Sequence, residues 1–226
     1  MLRPTFAMNI PVTDCLSLLH RCSSLALATQ SQVLPGYPFV TVLPFALDAG
    51  HRPWLLMSEL AEHCRNVHAD GRVSVLLQQG GADVLQGERM TLVGDLQAMS
   101  PDAATQARLL RYCPAFADYL ALGDFHFFCL QPKRLRFIGG FGRMGWVDAS
   151  DWAALPQLPA AQEQALLAAL QPADATLQLL GLDVCGLDVL RDGVRQRLDF
   201  AAPASEATLL ATAQARLLAG NDHTTG

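Results

Sequence analysis

From Ser23 to Gly139 the sequence reads as a succession of strands, with helices too sparse to alternate with them. SSLALATQ (23–30), PFVTVLPFAL (38–47), PWLLM (53–57), RVSVLLQ (72–78), ERMTLVGDLQAM (88–99), FHFFCLQ (125–131) and KRLRFIG (133–139) are apolar, β-branched or aromatic runs of strand length. That composition suits a pleated, half-buried surface. Pro35-Gly36, Asp48 to His51 and the Gly-rich QQGGADVLQG supply turns between them. Pro44, inside the second run, marks an edge strand or a bulge. A helix follows the third strand, with Ser58 as its N-cap and Glu59 and Glu62 as acids in its first turn, and closes near His68 before Asp70-Gly71. A second opens at Ser100-Pro101 and runs to Tyr112. Strict strand–helix–strand alternation is missing, which excludes a doubly wound nucleotide-binding sheet. About six strands in a small, mostly antiparallel barrel fit better.

The remainder predicts α-β-β-β-α: a helix over 159–170, strands over 176–184, 187–191 and 194–200 with Asp192-Gly193 as a hairpin turn, and a helix capped by Ser205. Pro156 and Pro159 interrupt the chain ahead of this part. Charge changes at the same place. Residues 1–150 hold 12 basic and 12 acidic side chains, whereas 151–226 hold four arginines and nine acids, so the net −5 lies entirely in the second part. The expected organisation is a barrel domain over 1–150, a small α+β domain over 156–220 and a polar tail over 221–226.

Lys133 is the only lysine beside 15 arginines, and no Walker-type loop is present. Schiff-base and P-loop chemistry therefore have almost nothing to use. The acidic balance argues against nucleic acid as a partner. No stretch approaches the ~20 apolar residues that span a bilayer, and the first residues lack a signal-peptide pattern, so a cytoplasmic location without membrane association is expected. Cys15, Cys22, Cys64, Cys113, Cys129 and Cys185 form no CxxC pair, and the six histidines show no HxxxH, HExxH or HxH spacing. No metal site is expected from spacing.

GYPFVTVLPFALDAGHRPWLLMSELAEHCRNVHADGRVSVLL (36–77) resembles the pyridoxamine-phosphate-oxidase-like, FMN-binding split-barrel superfamily. GDFHFFCLQPKRLRFIGGFGRMGW (123–146) is similar to that superfamily's haem-utilisation branch, in which a GGFG turn follows the last barrel strand. The resemblance implies an α+β fold: a mostly antiparallel six-stranded split β-barrel with inserted helices, then a small α-β-β-β-α domain. It further implies a homodimer with the cofactor at the subunit interface. For FMN, the matching positions are Thr41, Ser58, His63, Arg65 and Asn66, with Arg143 beside the GGFG turn meeting a phosphate or carboxylate. A helix amino end and arginine suit a phosphate dianion. For haem, the alternative cofactor, His223 is the axial candidate. The activity implied is a flavin-dependent oxidoreductase, or alternatively haem binding and degradation. A cofactor-free, non-enzymatic dimer is a third reading, because the helix PAAQEQALLAALQ (159–171) lacks the His and Asn/Asp that relatives carry there.

Overall fold

A computed structural model describes residues 10–79, 86–140, 143–172, 174 and 176–219. The first part is a curled antiparallel sheet of eight strands, two more than the sequence pattern suggests: β1 (Ser24–Gln30), β2 (Pro38–Pro44), β3 (Ala46–Leu47), β4 (Pro53–Ser58), β5 (Arg72–Gln78), β6 (Glu88–Ala98), β7 (Phe125–Gly139) and β8 (Met144–Asp148). The strand order is β2-β1-β5-β6-β7-β4-β3, with β8 also on β7. Helix α1 (Val12–Arg21) covers one side of this half-barrel, and α2 (Glu62–Ala69) packs against β1 and β2. Alternation in β1 and β5 turns Leu25, Leu27, Val73, Val75 and Leu77 into a core shared with Leu16, Leu19, Phe128 and Phe137.

Pro44 closes β2, which is an edge strand, and Phe45 separates it from the two-residue β3. Pro132 does not divide β7 into two strands as expected. Opposite Val93 and Gly94 the register skips Lys133, so a bulge in β7 itself sits beside Pro132 and the strand continues past it. Gly94 is required there, since a Cβ would stand 2.3 Å from the Gln131 carbonyl oxygen. The 15-residue β7 then serves two partners on one side, β4 with its first half and β8 with its second.

Two helix starts move. Ser58 is not a helix cap: it pairs with Phe125 as the last residue of β4, and α2 begins at Glu62 after Ala61. α3 (Ala103–Tyr112) is capped by Asp102, whose carboxylate accepts from the Thr105 N–H at 2.7 Å, rather than by Ser100. Two short helices, α4 (Phe116–Leu120) and α5 (Ala149–Ala153), complete this part.

The second part follows the expected order, α6 (Ala160–Ala169), β9 (Gln178–Asp183), β10 (Gly186–Arg191), β11 (Val194–Asp199) and α7 (Leu209–Ala219). Its antiparallel strands are ordered β11-β10-β9, and Asp192 and Gly193 turn the hairpin with φ of 51° and 76°. Ser205 stands a turn ahead of α7, receiving the Thr208 N–H on its carbonyl. Leu180 of β9 packs with Tyr112, Phe116 and Phe127, so an apolar cluster runs across the junction of the two sheets. Among the described residues, no helix is long and apolar enough to cross a membrane.

Candidate functional site

The loop from Ser58 into α2 is fixed by its own side chains. Ser58 Oγ donates to Asp124 at 2.5 Å and accepts from the Leu60 N–H at 3.1 Å. Arg65 donates to the Leu60 carbonyl at 2.9 Å. Asn66 is fully buried: its Oδ1 accepts from the Gln32 N–H at 2.9 Å and its Nδ2 donates to Thr29 Oγ1 at 3.0 Å. Asn66 thus pins α2 to the β1–β2 hairpin. Thr41 lies on the core-facing side of β2, opposite buried Leu27. His63 is half-buried in the first turn of α2, and burial lowers its pKa. Among the described residues no side chain caps this helix, which leaves the first-turn N–H groups of Glu62 and His63 without a side-chain acceptor there.

Thr41, Ser58, His63, Arg65 and Asn66 therefore share one neighbourhood, and Arg143 does not. Arg143 pairs with Asp14 at 2.5 Å and Glu88 at 3.3 Å, and Glu88 also pairs with Arg21. That places Arg143 at the Glu88 end of β6, whereas α2 leads into Gly71, which bonds Leu96 near the other end. Eight residue steps along the strand separate them, roughly 26 Å at ~3.3 Å per residue. Gly140 adopts φ of +90° in the GGFG turn, and the Gly139 N–H donates to the Arg143 carbonyl at 2.7 Å. Phe141, Gly142 and His223 lie outside the described residues.

A second arrangement is the outer face of the half-barrel. Register aligns Val42, Ala26, Leu76, Thr91, Arg136 and Trp146 in one row across six strands, and Val40, Ala28, Ser74, Val93 and Arg134 in the next. Val40, Val42, Leu76, Val93 and Trp146 are all exposed. The guanidinium carbons of Arg134 and Arg136 lie 4.4 and 5.4 Å from the centre of the Trp146 ring, a cation–π arrangement. The face is thus largely apolar, with Arg136 and Arg134, the latter paired with Asp148 at 3.0 Å, along one border.

Residues that sequence reasoning left out form a third arrangement, buried at the junction of the two parts. His20 on α1, His51 in the β3–β4 turn, and Asp183, Asp188 and Arg197 on the small sheet converge there. His20 Nδ1 lies 2.5 Å from Asp188 Oδ2, and its Nε2 lies 3.0 Å from His51 Nδ1. Arg197 donates twice to Asp183, at 2.7 Å each, and once to Asp188 at 3.1 Å. Tyr112 donates to Asp188. Against the cost of burial, the Arg197 charge holds the Asp183 carboxyl far below the usual range, and the hydrogen bond to His20 together with the Arg197 charge does the same for Asp188. Burial brings His51 down to about 4. Its backbone, at φ of 59°, is left-handed. The signal for this cluster was one titratable residue in each of two largely apolar segments, LSLLH (16–20) and GLDVL (186–190).

A curled antiparallel half-barrel carrying a small three-stranded unit defines a split-barrel protein, and comparison with known proteins agrees. The CREG β-barrel family model matches residues 15–154, and the chain belongs to that family, within the split-barrel superfamily that the sequence resembles. It is 33% identical over 133 residues to the chloroplastic haem oxygenase HOZ of Arabidopsis thaliana, a match covering 58% of this chain and 40% of that protein. This chain thus matches well under half the length of that relative. A haem-binding protein from Mycobacterium smegmatis aligns over 98% of this chain and 100% of its own, at 25% identity and a TM-score of 0.61. A protein of unknown function from Agrobacterium tumefaciens shares the fold, with a TM-score of 0.74 at 22% identity over 95% of this chain and 100% of its own.

Proposed function

We propose that this chain binds haem as a homodimer and promotes its oxidative opening when dioxygen and a reductant are supplied. The observation that carries the reading is the similarity, over nearly the whole of both chains, to the haem-binding protein of Mycobacterium smegmatis. The similarity to a haem oxygenase supports the catalytic part. Haem is a flat apolar ring with two carboxylates. The outer sheet face offers matching chemistry, with Val42, Leu76, Val93 and Trp146 exposed beside Arg134 and Arg136. A second copy laid on this face would enclose such a ligand at the interface.

FMN is the second reading, and one observation favours it: the amino end of α2 has no side-chain cap, which leaves N–H groups for a phosphate. The rest of the expected clamp fits poorly. Asn66 is sealed inside, and Ser58 and Arg65 are engaged within their own loop. Flavin, when bound, supplies two-electron redox chemistry; this chain's own groups would do no more than hold its phosphate at Glu62 and His63.

The test is a pair of titrations of the purified chain, with haemin followed by the Soret band and with FMN followed by fluorescence quenching. Saturable haemin binding at one equivalent per chain is expected, followed by loss of the Soret band on adding ascorbate in air. Absence of a Soret shift overturns the reading, and tight FMN binding alone replaces it with the flavin one. His223→Ala tests the axial role that the resemblance implies, through the position and width of the Soret band.

A further inference from the structure

Neither reading uses the buried imidazoles at the junction of the two sheets. We propose that His20 Nε2, His51 Nδ1 and one carboxylate oxygen of Asp183 form a binding site for a divalent first-row transition-metal ion. These three ligand atoms lie within 4.8 Å of one another, and all three residues are buried. His20 Nε2 is 3.0 Å from His51 Nδ1 and 3.8 Å from Asp183 Oδ2. Two nitrogens bound at ~2.0–2.1 Å to a tetrahedral ion stand roughly 3.3 Å apart. The imidazole pair therefore needs an outward shift of a few tenths of an ångström to hold one. Two imidazoles and one carboxylate form the ligand set that takes Fe2+ with open positions, or Zn2+ with one remaining water.

The surroundings match what metal ligands require. A ligating imidazole is oriented by a carboxylate on its other nitrogen, and Asp188 stands 2.5 Å from His20 Nδ1. That contact fixes the tautomer and directs the Nε2 lone pair toward His51 and Asp183. A ligating carboxylate is itself held by hydrogen bonds, and Arg197 holds Asp183 by both oxygens. Charge points the same way. With neutral imidazoles, Asp183, Asp188 and Asp199 surround the single guanidinium of Arg197, leaving two negative charges in excess. A divalent ion balances them. Arg108 lies one step further, beyond Tyr112, and is committed to Glu163. His51 is held in a left-handed backbone conformation that brings its ring into the cluster, and strain of that kind persists where the surroundings over-determine it. A cleft of about 300 Å³ lined by Ser17, Cys185, Arg197 and Asp199 reaches Arg197, the residue that holds Asp183.

The competing arrangement is one proton shared between the two imidazoles, and metal content separates them. The full chain, free of any histidine tag and of haem, is stripped with EDTA and desalted. It is then incubated with Zn2+, with Co2+, or with Fe2+ under anaerobic conditions, and desalted again. The expected result is one ion retained per chain, visible d–d bands for Co2+, and a melting temperature raised by several degrees with Zn2+. His51→Gln and Asp183→Asn should lose the retained ion, whereas His126→Gln, at a half-exposed position at the start of β7, should keep it. The proposal is overturned if the wild type retains none of the three metals, or if folded His51→Gln retains as much as the wild type. Should both cluster variants fail to fold, X-ray absorption on the Co2+-loaded wild type decides: two imidazole ligands support the site and an all-oxygen shell refutes it. The haemin titration is independent, so failure here leaves haem binding standing.

Discussion

His20 Nδ1 and Asp188 Oδ2 lie 2.5 Å apart although 168 positions separate them in the chain. The contact joins α1, which covers the half-barrel, to β10, the central strand of the small sheet. Asp188 is fully buried and also receives Tyr112 and Arg197. Removing its charge leaves the Arg197 guanidinium, the His20 ring and the Tyr112 hydroxyl without their acceptor in a dry site. Asp188→Ala should therefore cost about 3–5 kcal/mol, read as a lower urea midpoint. Asp70→Ala, which breaks a bidentate pair with the exposed Arg72, should leave the midpoint close to wild type. Equal midpoints for the two variants would sink the assignment of Asp188 as the keystone of the junction.

Gly181 tests the same junction from the backbone. A Cβ at this position would stand 1.9 Å from the Tyr112 hydroxyl oxygen, so Gly181→Ala must displace the tyrosine from Asp188. Overpacking of this kind costs about 1–3 kcal/mol. Tyr112→Phe removes the colliding oxygen along with its hydrogen bond. The double variant should then be more stable than the sum of the two single losses implies. Strict additivity in urea denaturation would show that the two residues do not meet.

The strands were legible in the sequence because each one on the core alternates. β1 and β5 bury every second residue, and a period of two is a local signal. β8 was not legible: MGWVD is short, begins with Met144 and Gly145, and exposes Trp146. Pro132 misled for a physical reason, since a bulge at Lys133 in the same strand accommodates it without breaking β7. Of the candidate site, the neighbourhood of α2 was legible and the use of its side chains was not. Asn66 as a buried fastener, and Arg143 as the partner of Asp14 and Glu88, depend on contacts between distant segments. Periodicity carries no information about such pairs.

Burial pushes the Cys15 and Cys129 thiols up to about 12, so both stay protonated in the folded chain at pH 8. Ellman's reagent at that pH should label neither until denaturant is added. The linkage has a definite sign. Unfolded thiols ionise near ~8.5, so the stability due to these two groups is complete below that pH and is lost as pH rises toward 12. Cys15→Ala with Cys129→Ala should flatten the fall of the urea midpoint between pH 9 and about 11. A double variant whose midpoint falls as steeply as the wild type's would show that other groups control alkaline unfolding.

The exposed face of the half-barrel gives the prediction on which the proposed homodimer rests. Val42 and Leu76 are each aligned with Ala26 across β1, and both are exposed. A charge placed there in a monomer meets solvent and should shift stability by no more than about 0.5 kcal/mol. In a dimer closed over this face, the same charge is desolvated without a partner, which costs several kcal/mol. Val42→Asp and Leu76→Asp should therefore yield folded monomers by light scattering after gel filtration, with unchanged circular dichroism, while the wild type elutes as a dimer. Haemin affinity should fall in parallel if the ligand is held at that interface. A wild type that is monomeric at tens of micromolar, or variants that remain dimeric, would rule out this face as the contact between copies.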